Sequence, residues 1–506
     1  MLFNSYLFIF GFMSLVLAGY FCIARSSANG AMAWLVAASL VFYGYWNPYS
    51  LPVLVGSICA NYAAGRCLID SRIESRRVLL VAAICANLLV LGYFKYMNFF
   101  IGNLNAVLPA LGTRPLGYIN VLLPIGISFF TFTQIAFLID SYQGKVRETR
   151  FINYALFVSF FPHLLSGPVI HHRQVMPQFA KRETFGVNFE TIHLGVALFT
   201  IGLAKKVLLA DSLAGYADVL FNAHVNGIQP GFYLSWIGSF AYTFQIYFDF
   251  SGYSDMAVGL GLLFGIYLPI NFNSPLRSSS IIESWQRWHM SLTGYVNEYL
   301  YTPLTLKFTR LSFGRPAVVE FVYSLMIPTL TVFLLVGFWH GANWTYVIFG
   351  AMHGIFLVVN HLWRKRPFLR RRGASRSYAG VVAGWVVTFL CIVASLIMFR
   401  SDHVRVALEI YRGCLGLNGA GGSVEDAWQG LFSSAHPAAE LALLIGVCSF
   451  IVLLCPSSAS LTPRSKKEVN SQALLRHPAA AIFLGVVFAV SVLHMSKFSP
   501  FIYFQF

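Results

Sequence analysis

Two imidazoles stand where imidazoles are costly. His340 ends the run Leu330-Thr331-Val332-Phe333-Leu334-Leu335-Val336-Gly337-Phe338-Trp339, which holds no charge. His289 closes Ser284-Trp285-Gln286-Arg287-Trp288-His289. A neutral imidazole accepts a proton near pH 7, and exclusion of water strengthens every dipole aimed at a reacting carbonyl. His340 therefore reads as a general base. The competing reading is a histidine that glues helices by bonding a backbone carbonyl. Gly341 permits close approach of backbone or substrate, Asn343 adds a donor, and Trp339 and Trp344 add rigid walls. For His289 the competitor is an interfacial amphipathic helix, in which Trp285 and Arg287 are ordinary and a histidine is not.

The carboxylates are fewer. Asp249 and Asp255, two of only 19 acidic residues, flank Ser251 in the island Tyr247-Phe248-Asp249-Phe250-Ser251-Gly252-Tyr253-Ser254-Asp255. They could orient a histidine or tie down broken-helix backbone. The plainer reading is a helix–loop–helix junction in which Asp255 caps the following helix. His163, in Phe161-Pro162-His163-Leu164, is a further supporting candidate. His171 and His172 adjoin Arg173 and read as a solvated face, since no third ligand stands at a useful spacing; no metal is expected. The eight cysteines form no C-x-x-C pair, so neither a zinc site nor a disulfide framework is inferred. No phosphate-binding G-x-x-x-x-G-K-[ST] occurs, which argues against a nucleotide-hydrolysing pump.

Elements that hold such groups must be membrane elements. The 506 residues are 57% hydrophobic and only 11% charged, where a soluble chain has about 25% charged residues. An all-α, polytopic membrane protein follows, with on the order of 11–13 membrane segments, some broken or re-entrant. The net charge of +16 would suggest nucleic acid in a soluble protein. Here the cations cluster in short loops between apolar runs, so it reads as positive-inside bias and attraction to a lipid bilayer, with no nucleic-acid partner.

Loop charge then sets the order. Apolar runs at 6–24, 31–47 and 49–64 lead to a cytoplasmic loop with Arg66, Arg72, Arg76 and Arg77. The N-terminus lacks a basic n-region and is expected outside, on an uncleaved first span. Residues 151–170 lie between two basic loops, and one full span cannot join two loops on the same side. Pro162 and Gly167-Pro168 interrupt the run, so it reads as a re-entrant hairpin or half-helices. Residues 231–249 and 256–270 are apolar, while 271–315 is too polar to span and dips in from the cytoplasmic side. After 318–339 and 343–362 comes the most basic stretch, Arg364 to Arg376. Residues 378–398, 437–455 and 479–495 continue, leaving the C-terminus outside. One membrane domain, 1–506, is expected, with a core at about 118–362 and extra C-terminal spans at about 378–506.

These motifs resemble the membrane-bound O-acyltransferase (MBOAT) family, in its bacterial polysaccharide and alginate O-acetyltransferase branch. The resemblance rests on Leu91-Gly92-Tyr93-Phe94-Lys95-Tyr96, Leu123-Pro124-Ile125-Gly126-Ile127-Ser128-Phe129, Phe161 to Leu164 with Gly167-Pro168, and Tyr247 to Asp255. It continues through Asn271-Phe272-Asn273, Trp285 to His289, Trp339 to Asn343, and Phe504-Gln505-Phe506. The stretch from Met290 to Arg315 departs from the alginate type.

The resemblance implies a funnel-shaped enzyme in which His340 is the essential histidine and His289 the second catalytic position. It implies acetyl-CoA as donor substrate, with no permanently bound cofactor. It further implies a bacterial inner-membrane location with both termini periplasmic, an SGNH-type acetyltransferase partner, and a polysaccharide synthase and export complex. Arg173, Lys181, Arg277 and Arg287 are candidates to meet the CoA phosphates. Two alternatives remain at this point: transfer of D-alanine or another acyl group to an envelope polymer, and a transporter or flippase with no chemistry of its own.

Overall fold

The structure is a computed structural model that describes all residues except 71, 73, 365–376, 421–436, 464–476, 496–498, 500 and 503–506. Most of the basic stretch after Arg364 and the ending Phe504-Gln505-Phe506 lie outside the described residues. The described chain is helical, with no strand among the described residues. Seven of its helices are long and apolar enough to cross a membrane: α1 (Leu7–Ala24), α3 (Pro48–Ile69), α4 (Arg76–Leu111), α9 (Phe189–Phe221), α14 (Ala317–His340), α15 (Trp344–Arg364) and α16 (Tyr378–Arg400). Between them lie α2 (Ala28–Gly44), α5 (Ile127–Tyr142), α6 (Phe151–Ser159), α7 (Phe161–Leu164), α8 (His172–Phe179) and α10 (Phe232–Leu263). The short α11 (Ile281–Arg287), α12 (Met290–Val296) and α13 (Thr302–Ser312) precede α14, and α17 (Val404–Cys414), α18 (Pro437–Leu454) and α19 (Pro478–Leu493) follow α16. An all-helical, multi-pass membrane protein is what low charge and long apolar runs dictate, since helices satisfy their own backbone in lipid.

The chain forms two compact units. The first holds Met1–Leu203, Tyr253–Ile270 and the stretch from Leu461. Its core is aromatic. Phe3, Phe8, Phe12, Phe42 and Phe161 pack with centroids 4.8–6.1 Å apart, and Tyr253 stacks on Phe3 at 4.9 Å. The interruption expected in 151–170 is present. Phe160 leaves helical geometry with ψ 108° between α6 and α7, and Pro162 opens the short second helix. Gln178 pairs both its amide atoms with the backbone of Tyr267, at 3.0 and 2.9 Å.

One expectation fails in this unit. His171 and His172 are not solvated; they are 5% and 6% exposed. His172 Nδ1 lies 3.2 Å from Asp140 Oδ2, a carboxylate that is itself buried. Lys145 Nζ approaches the other oxygen of the same carboxylate at 3.7 Å, so two basic side chains converge on one buried charge, and His172 is carried inward.

A second expectation fails in α10. The Tyr247–Asp255 island is not a junction between two helices. It lies inside one continuous helix of 32 residues, so Asp255 caps nothing. No proline interrupts this stretch, and a buried ion pair described below meets the charge of Asp249 without breaking the helix.

Candidate active site

The second unit comprises Ala204–Gly252 and Asn271–Ser460, and it holds His289 and His340 both. His289 sits at a sharp corner between α11 and α12. Ser280 caps α11 by accepting from the Glu283 N–H at 3.3 Å, and Glu283 accepts from Ser279 N–H and reaches Arg287 at 2.9 Å one turn on. These contacts make a helix of only seven residues worth forming. The chain then leaves helical geometry at Trp288 (ψ 130°) and turns left-handed at His289, with φ 44° and ψ 50°. Among the described residues only Ser274 shares a positive φ without being glycine. Left-handed geometry costs a side-chain-bearing residue roughly 1–2 kcal/mol, and such strain clusters at functional sites.

The corner is held from the loop at Asn271. The Met290 N–H donates to the Asn271 carbonyl at 2.8 Å, and the Asn273 N–H donates to the Arg287 carbonyl at 2.9 Å. The Asn271 side-chain oxygen lies 2.9 Å from His289 Nδ1 and accepts from the Ser291 hydroxyl at 2.9 Å and the Ser291 N–H at 3.3 Å. The His289 ring is 1% exposed. Phe250 meets it edge-on at 4.9 Å and Phe272 packs against it at 6.4 Å. Burial lowers its pKa to about 3, so the ring is neutral at pH 7.

His340 is the last residue of α14 and is 8% exposed. Its walls are aromatic: Trp339 at 4.9 Å, Phe399 of α16 at 5.3 Å and Phe349 of α15 at 5.8 Å. Two glycines let α14 and α15 touch closely here. A Cβ on Gly337 would stand 2.9 Å from Gly350 Cα, which real Cβ atoms do not tolerate. The space beside Gly341 is filled by the ring of Tyr346.

The surroundings of the two histidines are linked by a third. His353 of α15 packs on Phe349 at 4.6 Å and receives the Trp285 indole N–H on Nδ1 at 3.2 Å. Trp285 stands one turn before His289. Farther along α15, Arg364 donates to the Ser280 hydroxyl at 2.9 Å, so α15 grips α11 at two points.

The remaining candidates divide as follows. Asp249 is buried and bonded to Lys206 Nζ at 2.7 Å, and the same ammonium reaches Asp211 at 2.7 Å. Ser251 is fully buried two residues on. Trp285 and Arg287 take the contacts given above. Asn343 caps α15 by accepting from the Thr345 N–H and donates to the Asp402 carbonyl at 2.7 Å. His163 and Asp255 belong to the first unit; there His163 Nε2 donates to the Phe157 carbonyl at 2.9 Å, and Asp255 is 8% exposed. Of the cations expected at the cytoplasmic face, Arg277 is engaged by the carbonyls of Val452 and Cys455 at the end of α18, while Arg173 and Lys181 are exposed. Among the described residues no group of three His, Cys, Asp or Glu side chains could hold a metal ion.

Sequence reasoning missed three residues. Asn271 stood only within a recognised motif, and its contact with His289 joins residues distant in sequence. Lys206 and His353 carried a usable signal: each is a polar group in a long apolar helix, and each therefore needs a partner.

Comparison with known proteins matches this architecture. The family model described as MBOAT, membrane-bound O-acyltransferase family, covers residues 79–401. The chain is 40% identical to a peptidoglycan O-acetyltransferase of Helicobacter pylori over 452 residues, 83% of this chain and 80% of that protein. It is 35% identical to a probable alginate O-acetylase of Azotobacter vinelandii over 531 aligned residues, covering 100% of both chains. A probable alginate O-acetylase of Pseudomonas aeruginosa is 34% identical, again over 100% of both.

Proposed function

We propose, from the premise that this chain belongs to the membrane-bound O-acyltransferase family, that it O-acetylates an exported polysaccharide with acetyl taken from cytoplasmic acetyl-CoA. That it is a membrane acyltransferase follows from the family and from its apolar helices. The donor, the direction of transfer and the acceptor are the parts proposed. The supporting observation is that His289 and His340, each almost wholly buried, lie in one compact unit, where a polar side chain without a task would be costly.

In this reading His340 takes the proton of an acceptor hydroxyl as its oxygen attacks the thioester carbonyl. The C–S bond breaks, the acetyl group passes to oxygen, and the thiolate leaves as CoA. The edge-on rings of Phe349 and Phe399 keep water from the imidazole, so the thioester is not lost to hydrolysis. His289 holds the reacting groups in register. Arg287, part-exposed and in the same unit as the two histidines, is suited to the CoA phosphates. The acetyl group emerges on the periplasmic side of an inner membrane, either on the polymer or on an SGNH-type partner beside a synthase and export complex.

The test uses purified full-length protein with labelled acetyl-CoA and an oligosaccharide acceptor. Transfer, lost in His340→Ala with normal protein level, is the expected result. An intact thioester, or full transfer by His340→Ala, would overturn the reading; transfer of D-alanine alone would replace the donor.

A further inference from the structure

We propose that Asn271 is a positioning residue that holds His289 in the tautomer protonated on Nδ1, with the lone pair on Nε2. The assignment comes from partner chemistry. The Ser291 backbone N–H can only donate, and it points at the same Asn271 atom that His289 Nδ1 meets. That atom is therefore the amide oxygen; turning the amide over would set its NH2 against the Ser291 N–H. The Ser291 hydroxyl at 2.9 Å adds a further donor to this oxygen. An amide oxygen only accepts, so the nitrogen 2.9 Å from it must carry the proton. A buried ring carries one proton rather than two, and the lone pair is left on Nε2.

The arrangement is built rather than incidental. Asn271 is 1% exposed. Its backbone carbonyl holds Met290 on one side of His289, and Asn273 holds Arg287 on the other. One short loop thus sets the left-handed corner, the ring direction and the protonated nitrogen together. An asparagine suits this task because it orients the ring without adding a negative charge that would raise the imidazole pKa. The same logic governs nucleophile–base–orienter arrangements in general.

The consequence rests on the acyl-transfer reading above and sharpens it. His289 enters the reaction as a hydrogen-bond acceptor through Nε2. It therefore positions a donating group of the acceptor other than the hydroxyl whose proton His340 takes, such as a neighbouring hydroxyl of the sugar, and does not polarise the thioester carbonyl.

The tautomer and the activity are read separately. Full-length protein labelled with 13C,15N-histidine is compared with its His289→Gln variant to isolate the ring signal by magic-angle-spinning NMR. The Nδ1–H tautomer is expected in wild type and its loss in Asn271→Ala. An Nε2–H ring in wild type, or an unchanged ring in Asn271→Ala, would overturn the proposal whatever substrate the protein uses. In the acetyl-transfer assay Asn271→Ala is expected to lower kcat about 10–100-fold with little change in KM, the usual cost of losing an orienting partner. Asn271→Asp should keep the tautomer and shift the acid limb of the pH profile upward. Unchanged kcat in Asn271→Ala would remove the catalytic consequence. If wild type shows the tautomer yet leaves acetyl-CoA intact, the donor assignment fails and the pairing stands.

Discussion

The indole N–H of Trp285 donates to Nδ1 of His353 at 3.2 Å. An indole nitrogen only donates, so His353 carries its proton on Nε2. His289, one turn beyond Trp285, is held in the opposite tautomer. The contact ties α11 to α15, and Phe349 continues the path from His353 to His340. Replacing Trp285 with Phe keeps a ring in place and leaves a buried acceptor unpaired, which costs about 1–3 kcal/mol. A lower thermal midpoint in detergent and a lower kcat are expected, and a His353→Phe change should add little further once Trp285 is gone. Fully additive losses would show that the two rings act independently.

Lys206, a residue only 1% exposed, bridges Asp249 and Asp211 through its ammonium. Lys206→Met leaves two carboxylates without their cation, a loss on the order of 3–5 kcal/mol for a buried pair. Poor recovery of monodisperse protein by size-exclusion chromatography is the expected outcome. Adding Asp249→Leu should restore part of it, because a wholly apolar replacement removes the stranded charge.

The close approach of α14 and α15 depends on Gly337 and Gly350. Gly350→Val would place methyl groups where the α14 backbone already stands, and overpacking typically costs about 1–3 kcal/mol. Since His340 ends α14, activity should fall more than stability. Wild-type activity in a folded Gly350→Val protein would show that this contact does not set the histidine.

Burial of His289 also has a pH signature. Its pKa is lowered to about 3 from an ordinary 6.5. Between those values the unfolded chain binds a proton that the folded chain refuses, so stability falls as pH drops below about 6.5. Above that pH both states are neutral at this ring and nothing is lost. The slope from one such group is at most about 1.4 kcal/mol per pH unit. His289→Gln should flatten the decline in thermal midpoint between pH 7.5 and 5 relative to wild type; an equal decline would place the titration elsewhere.

Much of this was legible from residue types. Scarce charge and long apolar runs dictate helices in a membrane, because only internally satisfied backbone survives there. Pro162 marked the break between α6 and α7. The cost of an imidazole in an apolar run pointed to His340, and a histidine that an interfacial amphipathic helix does not explain pointed to His289; both are buried.

Other features were decided only by tertiary structure. A polar-looking loop sends His172 inward, to within 3.2 Å of the buried carboxylate of Asp140 on another helix. Arg277, part-exposed, is tied to the carbonyls at the end of α18. The Tyr247–Asp255 island stays helical because Lys206, distant in sequence, meets the charge of Asp249. The protonated nitrogen of His289 depends on an oxygen of Asn271, placed there by a loop that folds back on the corner. Local sequence sets what each group costs in lipid; which distant group meets that cost is a property of the packed chain alone.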